Sequence, residues 1–266
     1  MKKTAWISTM ATSVALMSVL TGCGAPSSDN RTSSTGATPS AGGPTLVLAT
    51  SADYKPYEFH DTSSGQDKIV GFDMDVANAI AKQLHFNIKV EDMDFDGLIG
   101  ALQSGRADFV IAGMTPTAER KKSVDFSDVY YQATNIVLTK KGHAVKSLDD
   151  LKGETVAAQL GSVQETAAKA IPGVKVESLN TIPNVVQEVV TNRAQAAVIE
   201  DTVAKGYVQN NPSLQINEIP GVKSNGSAIA FPKGSKWVSK FNTAIEKMKQ
   251  DGELQQLADK WFSGQK

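Results

Sequence analysis

The sequence predicts an α/β fold, with open sheets covered by helices, and three observations lead there. From Thr45 onward, short apolar runs of strand length alternate with segments of helical period. One helix-plus-strand segment early in that stretch returns, in the same plan, near its middle. The stretch itself, Thr45 to Lys266, has about 220 residues, enough for one large or two modest domains.

Taken in order, "TLVLAT" (45–50) reads as a buried strand. "GFDMDVANAIAKQL" (71–84) reads as a helix, with Asp73 as its N-cap and Val76, Ile80 and Leu84 at helical spacing. "NIKV" (strand), "FDGLIGALQSG" (helix closed by Gly105) and "ADFVIAG" (strand) come after it. A second series runs "ATNIVLT", "SLDDLKG", "ETVAAQ", "SVQETAAKAI", "VKVESL", "IPNVVQEVVTN" and "AQAAVIE". "SAIAF" and two helical segments, Ser235–Gln250 and Gly252–Phe262, finish the chain. By itself the alternation calls for mostly parallel sheets.

The repeated plan joins "LIGALQSGRADFVIAGMT" (98–115) to "VVQEVVTNRAQAAVIEDT" (185–202). Each is an apolar helix, then Gly-Arg-Ala or Asn-Arg-Ala, then a short strand and polar residues. In register, Gly113 of the first faces Glu200 of the second. Two similar lobes would each present the carboxyl end of a strand, where open α/β sheets bind ligands.

Those strand ends hold the candidate site. Arg120 follows the turn at Gly113–Thr115, with Thr117 as an N-cap and Glu119 in the first turn. A guanidinium beside free backbone N–H groups suits a carboxylate; an internal salt bridge with Asp125 is the alternative. In "QLGSVQET", Gly161 turns the chain and Ser162 opens a helix whose first N–H groups attract anions. Glu200 and Asp201 end a strand, placed either to receive an ammonium or to serve as a loop acid or helix cap. Tyr54, Tyr57 and Phe95 either pack or sandwich a flat or cationic group.

The N-terminus reads as an export leader. Lys2 and Lys3 precede an apolar run, Ala5 to Leu20, that is too short for a stable span and stops at "LTGC". That ending matches the bacterial lipobox, in which Cys23 receives a lipid and begins the mature chain. Residues 24–44, rich in Ser, Thr, Gly, Ala and Pro, read as a disordered tether. Cys23 is the only cysteine, which excludes a disulfide framework. Losing residues 1–22 removes two lysines and takes the formal charge from −1 to −3, a weakly acidic balance that argues against nucleic acid. His60, His85 and His143 lie far apart, outside ligand spacing, so neither a metal centre nor a cofactor is expected. No Ser-His-Asp order, phosphate loop or dinucleotide fingerprint appears.

The segments "DYKPYEF", "GFDMDVANAIAKQL", "MDFDGLIGALQSGRADFVIAGMTPTAERKKSVDFSDVYY", "LKGETVAAQLGSVQET" and "GELQQLADKWF" resemble, in order, the family 3 extracellular solute-binding proteins of amino acid importers. The resemblance implies a periplasmic-binding-protein-like α/β fold of type II: two lobes with open mixed sheets, joined by two crossing hinge strands. Residues 45–132 with 226–266 would form lobe 1, and residues 133–225 lobe 2. It further implies that Arg120 grips an α-carboxylate with help from Thr115 and the helix start at Ser162. Gly113 would offer a carbonyl to the α-ammonium, and Glu200 or its neighbour Asp201 the counter-charge. Tyr54 and Phe95 would form aromatic walls and Gln164 a polar one. Many relatives that take basic amino acids have an aspartate near the end of the first strand. Here that stretch reads Ala49-Thr50-Ser51-Ala52-Asp53, so Asp53 or Asp94 would take that part.

The protein expected on these grounds is a monomeric, non-enzymatic receptor that delivers its ligand to an ABC permease. It would be lipid-anchored on the outer face of the cell membrane, the periplasmic side where an outer membrane exists. A basic amino acid such as arginine is the expected guest, with glutamine or another polar amino acid second. An amino acid sensor and a dehydratase-like enzyme on the same scaffold are the rival readings.

Overall fold

In the computed structural model, which describes residues 42–219 and 226–263, the alternating runs fold into two five-stranded sheets and one small three-stranded sheet. The leader, Cys23 and the tether up to residue 41 lie outside the described residues. The elements are β1 (Thr45–Thr50), β2 (Asp53–Tyr54), β3 (Glu58–Asp61), β4 (Lys68–Val70), α1 (Phe72–Leu84), β5 (Asn87–Asp92), α2 (Leu98–Gln103) and β6 (Phe109–Val110). Next come α3 (Arg120–Ser123), β7 (Val124–Tyr131), β8 (Asn135–Lys140), β9 (Thr155–Gln159), α4 (Val163–Lys169), β10 (Lys175–Leu179) and α5 (Ile182–Val190). The last are β11 (Ala196–Glu200), α6 (Asp201–Asn210), β12 (Leu214–Asn217), β13 (Ser227–Pro232), α7 (Trp237–Gln250) and α8 (Glu253–Phe262).

The first sheet has the order β5-β1-β6-β13-β7 and the second β10-β9-β11-β8-β12. In the first, β1 runs parallel to β5 and β6, while β13 runs antiparallel to β6 and β7. The second repeats this: β9 is parallel to β10 and β11, and β8 antiparallel to β11 and β12. Both sheets are therefore mixed, not mostly parallel as alternation alone suggests. Strand–helix–strand units supply the parallel neighbours; the strands that bring the chain across from the other sheet enter in the opposite sense. The chain leaves the first sheet between β7 and β8 and returns between β12 and β13.

Central strands are apolar on both faces because both faces are covered. Along β1, Leu46 and Leu48 join the core under α1 and α7, whereas Val47 and Ala49 pack with Leu98, Ala101 and Leu102 of α2. Along β11, Ala197 and Ile199 face one cluster, Ala196 and Val198 another. Phe86, Phe109, Phe231 and Phe241 pack edge-to-face and stacked at centroid distances of 4.9–6.3 Å where α7 crosses the first sheet. Burying each such ring contributes about 1.5–3 kcal/mol.

Two boundaries differ from expectation. Gly71, not Asp73, holds the N-cap position of α1; Asp73 lies inside the first turn, fully buried. The strand read over residues 107–113 is reduced to Phe109–Val110, because the chain turns away at the site.

Candidate functional site

Each wall of the site is built where a strand stops. At the end of β1, the Thr50 hydroxyl donates to Ile111 O at 2.8 Å, tying that end to the segment leaving β6. Gly113 then adopts φ +54°, and its N–H donates to Asp73 Oδ2 at 2.8 Å. A Cβ at Gly113 would lie 3.0 Å from the Tyr54 ring, so glycine is required for both conformation and space. Thr117 Oγ1 accepts from the Arg120 N–H at 3.1 Å, so it caps the turn that presents the guanidinium. Arg120 Nη1 donates to Thr115 O at 2.8 Å and Nη2 to Gly161 O at 2.9 Å, and the group lies 5.3 Å from the Phe95 ring centroid.

A pocket opens between these ends and those of the second sheet. Eight of the residues singled out in the sequence line it: Asp53, Tyr54, Phe95, Gly113, Thr115, Arg120, Ser162 and Gln164. Ser162 is the N-cap of α4, its hydroxyl accepting from the Glu165 N–H at 3.0 Å. Gln164 Nε2 donates to Asn135 Oδ1 at 2.8 Å. Hydrogen bonds that join the two sides include Arg120 to Gly161 O, Asp94 Oδ2 from Asn180 Nδ2 at 2.9 Å, Thr202 Oγ1 to the Tyr57 hydroxyl at 3.4 Å, and Asp53 Oδ2 from the Ile182 N–H at 2.6 Å. The last gives α5 a cap that its own Thr181 does not provide.

Three of the acids expected to meet the ligand lie outside the pocket wall. Asp94 is engaged by Asn180. Asp201 pairs with Lys205 at 3.0 Å and accepts from the Thr134 N–H. Glu200 is 1% exposed and faces the Tyr54 and Tyr57 hydroxyls behind the wall, with Oε2 lacking a hydrogen-bond partner. Nor does the alternative pairing of Arg120 form, since Asp125 is held by Lys233 at 2.7 Å and by the Gly234 N–H. Among the described residues, no carboxylate pairs with Arg120.

The charges are consequently unbalanced. Burial lowers the Arg120 pKa to about 10, leaving it cationic at neutral pH. Burial raises Glu200 to about 8, opposed by Tyr57 and reinforced by Asp201 and Asp73. Two further acids escaped the sequence reading. Glu58, 1% exposed, belongs to the pocket wall, and burial together with the adjacent Asp73 charge pushes it well above the usual carboxyl range. Asp73 is raised to about 6 by burial, against hydrogen bonds from the Gly113 N–H, the Tyr130 hydroxyl (2.8 Å) and Glu58. The available signal was an acid between aromatics in "PYEF", on a strand short enough to be taken for a loop.

A cationic fork on one rim and a nest of buried acids beside it can hold both ends of a small dipolar molecule. The described residues contain no group of three or more side chains suited to a metal ion, and no helix long and apolar enough to cross a membrane.

Residues 46–264 match the bacterial extracellular solute-binding proteins, family 3. The chain is 47% identical over 252 residues to the arginine-binding extracellular protein ArtP of Bacillus subtilis (strain 168), covering 93% of this chain and 94% of that one. Among solved structures, it resembles the substrate-binding protein of an amino acid ABC transporter, with TM-score 0.80 and 49% identity over 82% of this chain and 99% of that one. It is also similar to an ancestral arginine-binding protein bound to glutamine, with TM-score 0.76, 44% identity and coverage of 82% and 97%.

Proposed function

Since the chain belongs to the family 3 bacterial extracellular solute-binding proteins, we propose that it captures a free basic amino acid, arginine first, and delivers it to an ABC importer. One observation supports this reading above the rest: Arg120 lines the pocket with no carboxylate partner among the described residues. A desolvated guanidinium satisfied only by carbonyls lacks a counter-charge, which an α-carboxylate supplies in bidentate geometry.

In this mechanism Arg120, Thr115 and the helix start at Ser162 receive the carboxylate. Gly113 and the acids behind Tyr54, Glu200 among them, balance the ammonium. Tyr54 and Phe95 flank the side chain, Gln164 offers a polar contact, and Asp53 meets the distal cation. Asp94 and Asp201, engaged by Asn180 and Lys205, fit a ligand role less well. Residues 45–132 with 226–266 act as one lobe and residues 133–225 as the other, closing about the crossings after β7 and β12. Closure excludes water, and charge pairs strengthen in the lower dielectric. A ligand favours the closed state only by binding it better. The protein acts as a monomer, with Cys23 as the site of lipid attachment and residues 24–44 as tether.

Relatives and structural neighbours are solute-binding receptors, and the reading is accordingly a receptor, not an enzyme. Glutamine is the second candidate, because the glutamine-bound ancestral arginine-binding protein has closely similar architecture.

A thermal-shift panel of the common amino acids tests the reading. Arginine at 100 times its dissociation constant is expected to add about 2.7 kcal/mol of stability. No shift with any amino acid overturns the proposal; a shift with glutamine alone reassigns the guest. Cys23→Ser is expected to move the protein from the detergent phase to the aqueous phase on cloud-point partition, and no change refutes the lipid anchor.

A further inference from the structure

The acids beside the pocket outnumber what a dipolar ligand needs. Asp53, Glu58, Asp73 and Glu200 gather around the Tyr54, Tyr57 and Tyr130 hydroxyls, each acid influencing at least one neighbour. Glu58 stands out. It pairs in register with Tyr54 across β2 and β3, belongs to the pocket wall, and is 1% exposed with Oε2 unpartnered. The Asp73 N–H donates to Tyr57 O at 2.9 Å, which sets Asp73 beside Glu58, and the Asp73 carboxyl already accepts from Gly113 N–H and Tyr130 OH; each of the two carboxyls bears on the other's protonation. Two buried carboxylates cannot sit side by side without a proton between them.

We propose that Glu58 and Asp73 hold one proton between them in the empty pocket and release it to solvent when a cationic guest binds, so that capture is cation-for-proton exchange. The inference rests on the reading of the pocket as a site for basic amino acids. In the exchange the carboxyl O–H bond breaks, its electron pair stays on the carboxylate, and the proton passes to water or buffer. One positive charge enters as one leaves, so the buried charge is unchanged. The groups facing Glu58 allow this. Asp73 on α1, Asp53 on β2 and Glu200 on β11 are all acids that favour its protonated form, and Tyr54 and Tyr130 are neutral hydroxyls. Arg120, the cation in the pocket wall, is on the carboxylate-binding side of the proposed site.

Calorimetric titration of L-arginine at pH 7, in phosphate and in Tris, tests the exchange, because those buffers differ in protonation enthalpy. Close to one proton released per arginine is expected for the purified protein, and close to none for Glu58→Gln. Affinity is expected to rise about tenfold per pH unit where the pair is protonated in the free protein. Arginine heat that is the same in both buffers overturns the exchange while leaving the receptor reading intact. Release that persists in Glu58→Gln also overturns it, by assigning the proton elsewhere. Absence of any arginine binding overturns the basic amino acid reading on which the exchange rests. The wild-type proton count is decisive even where Glu58→Gln fails to fold.

Discussion

The two sheets repeat one another down to single hydrogen bonds until their central strands end. Ser104 Oγ donates to Gly100 O at 2.8 Å as α2 closes, and Thr191 Oγ1 to Gln187 O at 2.8 Å as α5 does. Arg106 N–H bonds Ala101 O and Arg193 N–H bonds Glu188 O, both at 2.9 Å. Between them lie left-handed residues, Gly105 (φ +72°) and Asn192 (φ +58°). Asp108 Oδ2 accepts from the Val47 N–H, as Gln195 Oε1 does from the Thr155 N–H. The parting comes at Gly113 and Glu200. In the first half the chain opens into a loop that presents Arg120; in the second it runs straight into α6, leaving a buried carboxyl at the turn. The framework is thus shared, while the charge-bearing group at each strand end is where the halves specialise.

If the halves specialise this way, removing the cation of the first is the largest perturbation. Arg120→Ala is expected to weaken amino acid binding by about 2–5 kcal/mol, roughly 30-fold to several-thousand-fold, by calorimetry. Retained affinity would break the division of labour.

The acid of the second half is next. The Glu200 pKa, about 8 in the folded protein, exceeds its ordinary 4.5, so the folded state binds that proton more tightly. The stability it provides is complete below about pH 4.5 and lost as pH rises through about 8. Glu200→Gln is expected to flatten the denaturation midpoint between pH 5 and 8, an effect of at most a few kcal/mol. A midpoint with unchanged pH dependence counts against an enclosed, proton-holding Glu200.

Across the boundary, Asp53→Ala removes the cap on α5 and is expected to cost about 1.5–3 kcal/mol, the worth of a hydrogen bond to a charged group. Under the closure mechanism this appears as lost ligand affinity; an unchanged dissociation constant argues that the contact plays no part in closing. Smallest is the framework swap. Gly105→Asn combined with Asn192→Gly should leave the thermal midpoint nearly unchanged, whereas alanine at either position should cost about 1 kcal/mol. Unequal penalties would show that the likeness of the halves is superficial.

Much of this was legible from residue order. The repeat was visible because Gly-Arg-Ala and Asn-Arg-Ala both mark a left-handed helix end, and only Gly and Asn enter that region readily. Arg120 was visible because charge after a strand end is conspicuous. The small β2–β3–β4 sheet was not, since its polar, two- to four-residue strands lack a periodic signal. Asp73 resembled a cap because sequence shows an acid before a helix but not its burial against Tyr130. Glu200 and Asp201 look alike in residue order because neighbours in sequence show neither pairing nor burial; in the fold Asp201 meets Lys205 four residues on, and Glu200 turns inward.

Whether the guanidinium of the first half grips the carboxylate of the guest is decided by a cycle between Arg120 and that carboxylate. L-arginine and agmatine, its analogue without the carboxylate, are titrated into the wild-type protein and into Arg120→Ala. With the grip in place, agmatine binds wild type at least 100-fold more weakly than arginine, and the gap closes in the variant. Equal affinities in wild type, or the same gap in both proteins, contradict it.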